Sequence, residues 1–160
     1  MAVLGKTSLP LMLTGGNSTR PAERAGYHVV ATSDGSPASA AILPAIAPLV
    51  AGTSAKVTLL RVCEPRSGRP SPEAEIETAR SQLESLRPRL PQGLPVDVCC
   101  RACDYGDEVA DAIVLAALEL GADAIAMATH GQSALRHLLA GSAALNVLER
   151  SPLPVILSRG

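Results

Sequence analysis

Short apolar runs alternate with amphipathic stretches along the chain from Tyr27 onward. Apolar runs bounded by turn signals predict buried strands over residues 27–32, 56–63, 96–101, 124–128 and 155–157. Between them the apolar period lengthens to that of a helix, over 37–51, 72–87, 108–120 and 143–150. In the first helix Ile42, Ile46, Leu49 and Val50 share a face; in the second, Ile76, Ala79, Leu83 and Leu86 do. The boundaries carry their own chemistry. Asp107 and Ser142 are candidate N-caps, because a short polar side chain there can accept from an otherwise unpaired amide. Gly121 closes the third helix as a C-cap. Pro88 stops the second helix, and Ser151-Pro152 stops the fourth, since the residue before proline avoids the helical region. Pro44 and Pro48 fall inside the first helix, where each removes a hydrogen bond at ~3 kcal/mol, so that helix is expected to kink or break. Glu73, Glu75 and Glu77 open the second helix, where its dipole favours negative charge. Strands alternating with amphipathic helices imply a parallel sheet covered on both faces.

Residues 1–26 have no such periodicity and are rich in Gly, Ser, Thr and Pro. They are expected to form a disordered extension, with one α/β domain over 27–160. The short apolar patch from Leu9 to Leu13 is too weak for a secretory signal.

Composition narrows the function classes. Of 160 residues, 47% are hydrophobic, yet Phe and Trp are absent and only two are Tyr. The core must therefore be built from Ala, Val, Ile and Leu, which suits strands buried on both faces. Binding of single-stranded nucleic acid by aromatic stacking is not expected. A net charge of −1 gives no field to attract nucleic acid or an anionic membrane. No apolar run reaches the ~20 residues that span a bilayer. Cys100 and Cys103 form a C-x-x-C pair, but no second pair completes a zinc site. With Cys63 and Cys99 they read as small buried hydrophobes in a reducing cytoplasm.

The candidate chemistry sits in residues 123–157. A strand runs into Thr129, His130 and Gly131, and Gly141-Ser142 then starts a helix. A helix N-terminus offers free amides and a partial positive charge, and glycine lets backbone approach an anion with no Cβ in the way. Asp34 ends the first strand at the edge of the sheet where open α/β folds bind ligands, although it also reads as a cap for the next helix. Ser36 reads as such a cap. Arg136 could reach a phosphate, but an exposed helix arginine is the ordinary reading.

The spacing of these residues resembles the nucleotide-binding signature of the universal stress protein family: Gly, two residues, Gly, nine residues, Gly, then Ser or Thr. Gly131, Gly141 and Ser142 match, and Ala128 stands at the first glycine. The T-S-D-G-S segment at residues 32–36 and the Arg61-Val62 pair also resemble family segments. The resemblance implies a three-layer α/β/α fold with a five-stranded parallel sheet ordered 3-2-1-4-5, of the adenine nucleotide alpha hydrolase type. It implies binding of ATP or AMP, with Mg²⁺ as the accompanying ion and a stress-response or regulatory role. Thr32, Ser33, Asp34 and Val62 would face adenosine. Met127, Ala128, Gly131, Gly141, Ser142 and Ala143 would hold ribose and phosphates. Family members commonly form homodimers through the C-terminal strand, here an expected edge at residues 154–158. Two other readings stay open. The Ala128 methyl is compatible with an interaction domain that keeps the fold and binds no nucleotide. An ATP-hydrolysing enzyme fits less well, because no nucleophile–base pair can be assembled from these residues.

Overall fold

The computed structural model describes residues 9–14, 26–63, 72–103, 108–129 and 143–159. In chain order the elements are β1 (Leu11–Leu13), β2 (His28–Thr32), α1 (Ile42–Val50), β3 (Lys56–Cys63), α2 (Pro72–Glu84), β4 (Val96–Ala102), α3 (Val109–Glu119), β5 (Ala124–Thr129), α4 (Ala143–Arg150) and β6 (Val155–Arg159). Among the described residues no helix is long and apolar enough to cross a membrane.

The sheet has six strands in the order β1-β6-β5-β2-β3-β4. The expected five-stranded order is corrected accordingly. Strands β2 to β6 pair in parallel, and the addition is β1, antiparallel to β6 with Leu11, Met12 and Leu13 opposite Leu157, Ile156 and Val155. Leu11–Leu13 had been expected in a disordered extension; the rest of that extension, residues 1–8 and 15–25, lies outside the described residues. The physical reason for the strand is the row of amides and carbonyls that β6 would otherwise leave unpaired. Leu11 and Leu13 also pack on one face of the sheet, with Met12 exposed on the other. Residues 154–158 are therefore not an edge.

Alternate side chains divide between two cores, as the period of two in a strand requires. Val30, Ile125, Val155 and Leu157 face Ile113 and Ala117 of α3 and Val147 of α4. Val29, Ala31, Leu59, Ala126 and Ile156 face Ile42 and Ile46 of α1 and Leu83 of α2. All five residues of β2 are buried, as expected of a central strand.

The prolines shape two helices. The α-helix expected from residue 37 starts only at Ile42, after a 3-10 turn at Ser39–Ala41. Pro44 then lies in its first turn, where a missing amide leaves no helical bond unmade. Pro48 sits inside the helix, which continues through it to Val50. Helix α2 ends at Glu84 rather than at residue 87, and a 3-10 turn follows at Arg87–Arg89, since Pro88 has no amide to donate to the Glu84 carbonyl four residues back and its ring would clash with it. Helix α3 starts at Val109 with Glu108 in the N-cap position; Asp107, the expected cap, lies outside the described residues. Its far end closes at Gly121, which has φ +66°. The amides of Gly121 and Ala122 donate to the carbonyls of Leu118 and Ala117 at 3.0 and 2.9 Å, the paired bonds of a Schellman cap.

The central strand β2 has β3 on one side and β5 on the other. Chain connections leave it in opposite directions there, which opens a crevice at the carboxyl ends of the strands.

Candidate functional site

A cavity of about 220 Å³ occupies that crevice. Its floor is the ends of β2, β3 and β5, and the first turns of α3 and α4 form a wall. Thr32, Ser33, Asp34, Val62, Met127, Ala128 and Ala143, all singled out from sequence, line it. Gly131, Gly141 and Ser142, together with His130 and Arg136, lie outside the described residues.

The β2 side is built from short polar residues. The Ser33 amide extends the ladder by donating to the Leu60 carbonyl at 2.9 Å. Asp34 is exposed, and its Oδ1 accepts from the Ser36 amide at 2.8 Å. That bond is an Asx turn, so Asp34 has a structural task in addition to its place in the lining. Gly35 follows with φ +88°, and a Cβ there would lie 2.7 Å from both Arg61 Nη1 and Gln82 Oε1. These two side chains are themselves hydrogen bonded, with the guanidinium donating. The Ser36 hydroxyl accepts from the Ser39 amide at 3.1 Å, the local helix-start role read from sequence. Ser33 and Ser39 are both buried, with their hydroxyl oxygens 2.8 Å apart.

The β5 side is mostly apolar. Met127 is buried and Ala128 half-buried. Ala128 is the register partner of Ser158 on β6, and the Thr129 hydroxyl donates to the Ser158 carbonyl at 3.1 Å. The Ser158 hydroxyl is buried without a hydrogen-bond partner among the described residues. Leu60 and Val62 of β3 and Val109 and Ile113 of α3 complete the apolar wall. That surface suits a flat, weakly polar ring, and the polar groups at the β2 edge suit hydroxyl or amino groups. Arg150 of α4 ties the two wall helices together, pairing with Glu108 at 2.5 Å and with Asp111 at 2.7 Å.

Ser39, Leu60, Val109, Ile113, Thr129 and Ala144 also line the cavity and had not been singled out. Val109 and Ile113 are four residues apart on α3, so in sequence they read as ordinary core spacing. Ser39, three residues after Ser36, carried a faint capping signal. The cysteines stand apart from this chemistry. Burial pushes the Cys100 thiol upward, away from the reactive thiolate form. Among the described residues no group of three or more His, Cys, Asp or Glu side chains is arranged to hold a metal ion. A magnesium ion here would depend on phosphate oxygens for most of its ligands.

The sequence profile of the universal stress protein family matches residues 27–159. The chain belongs to the universal stress protein family. Comparison with curated proteins returns no match. Several solved universal stress proteins share the fold. One, in complex with cAMP, is 22% identical with a TM-score of 0.60, covering 85% of this chain and 98% of its own. Another, from Archaeoglobus fulgidus in complex with dAMP, is 24% identical with a TM-score of 0.55, covering 83% and 97%. A third, also from Archaeoglobus fulgidus, is 19% identical with a TM-score of 0.68, covering 98% of this chain and 52% of its own.

Proposed function

We propose that this universal stress protein binds an adenine nucleotide, ATP or AMP, in the crevice between β2 and β5 and serves a regulatory, stress-response role. The observation that carries the reading is the cavity itself. Residues far apart in sequence, from Thr32 to Ala143, meet around one opening where the strand order reverses. Two fold relatives with adenine nucleotides bound add support. In this reading the apolar wall of Val62, Val109 and Met127 takes adenine, and Thr32, Ser33 and Asp34 meet its polar edge or the ribose. Gly131, Gly141, Ser142 and Ala143 receive the phosphates with Mg²⁺. Purified protein, denatured and analysed by chromatography, should release ATP or AMP, or its melting temperature should rise when either is added. A blank in both experiments overturns the reading.

A second reading, an interaction domain without nucleotide, is favoured by one observation. Ala128 puts a methyl group in the cavity lining where the family signature has glycine. A homodimer is part of the proposal, but a β6-to-β6 contact requires β1 to leave first. The outer edge of β1 offers the alternative route.

A further inference from the structure

The hydroxyl network on the β2 side of the cavity has a direction. Ser39 Oγ donates to the Ser36 carbonyl at 2.9 Å, and a carbonyl can only accept. A serine hydroxyl has one hydrogen, so the Ser39 hydrogen is committed. In the 2.8 Å contact between Ser33 Oγ and Ser39 Oγ, Ser33 must therefore be the donor. Ser33 Oγ also accepts from the Gly35 amide at 3.2 Å. Its hydrogen and one lone pair are thus used, and among the described residues nothing takes the other lone pair. Ser33 lines the cavity and is only 6% exposed, so water competes poorly for that lone pair.

From this we infer that Ser33 is a specificity-determining residue: its hydroxyl is locked as an acceptor, and the ligand group that meets it must be an N–H or O–H donor. Ser39 is the positioning residue that holds the lock, acting through Ser33. The inference rests on the nucleotide reading and deepens it. In an adenine nucleotide the donor is either the exocyclic amino group or a ribose hydroxyl. A phosphate oxygen cannot serve, which directs the phosphates away from the β2 side.

The test compares the affinity of the full chain for AMP with its affinity for analogues in which one donor becomes an acceptor. These are the 6-fluoropurine analogue of AMP, with fluorine in place of the amino group and N1 still an acceptor, and the 2′-fluoro and 3′-fluoro analogues of AMP. In wild type one replacement should cost more than about tenfold in affinity, because a bond is lost and an acceptor then faces an acceptor. The other replacements should cost less. Ser39→Ala frees the Ser33 hydrogen to turn towards the replaced group, so that one penalty should shrink while the others keep their wild-type values. Ser33→Ala removes the acceptor and should shrink the same penalty, and it carries the test if Ser39→Ala does not fold. A purely structural role for the serines would instead lower every affinity by a common factor. If AMP binds but no replacement is singled out, or the singled-out penalty survives in both variants, the inference is overturned. If neither AMP nor ATP binds wild type, it is the nucleotide reading that falls.

Discussion

Leu13 lies opposite Val155 across the antiparallel edge of an otherwise parallel sheet. Val155 is fully buried, and Leu11 and Leu13 pack against the cluster that contains it. Strand β1 thus covers the backbone of β6 and part of its apolar surface. Deleting residues 1–14 should lower stability by about 1–3 kcal/mol, the scale of two partly buried leucines with their ladder bonds. It should also make the protein associate as concentration rises, because a bare strand edge pairs with another chain. Urea unfolding and light scattering of the truncated chain check both outcomes. Unchanged stability would mean that β1 does not hold this edge in solution.

Gly35 joins β2 to the hydroxyl network with φ +88°. Gly35→Ala should cost about 1–2 kcal/mol, the penalty for an L-residue in left-handed backbone. The contacts with Arg61 and Gln82 add little, because both are the movable ends of long side chains. Urea unfolding gives the value, and a neutral substitution would show that the turn relaxes.

Ser158 buries a hydroxyl that has no partner among the described residues. Such a group costs about 1–3 kcal/mol when left unsatisfied. Ser158→Ala should therefore leave stability unchanged or raise it by up to about 1 kcal/mol, read from the shift in melting temperature. A marked loss would reveal a partner outside the described residues.

Ala128 adjoins Ser158 and replaces the first glycine of the family signature. Ala128→Gly removes one methyl group from the cavity lining and should leave nucleotide affinity equal or higher. Titration calorimetry decides. A clear loss of affinity would mean that the methyl group itself contacts the ligand.

Most of the architecture could be read from residue patterns, for physical reasons that also explain the exceptions. Strands β2 to β6 and helices α1 to α4 each carry a run long enough to show its period. Leu11-Met12-Leu13 covers little more than one period, and its partner lies at the other end of the chain, so only the folded edge of β6 reveals it. Asp34 could be picked out because it sits where a buried strand gives way to a turn, whereas Thr32 and Met127 are reached through the resemblance to the family. Val109 and Ile113 could not, because a helix face that walls a cavity looks the same in sequence as one that packs in a core. The acceptor state of Ser33 depends on the hydrogen-bond directions of Ser36 and Ser39, which no spacing rule carries.

The most direct test of nucleotide binding is the thermal shift produced by ATP in wild type and in Gly141→Val. At ~100 times the dissociation constant ATP should add ~2.7 kcal/mol of apparent stability to wild type. Gly141→Val should keep its circular dichroism and lose most of that gain, because a branched side chain would fill the space a phosphate needs. An equal gain in the two proteins would show that Gly141 is only a turn, and no gain in wild type would contradict nucleotide binding by this chain.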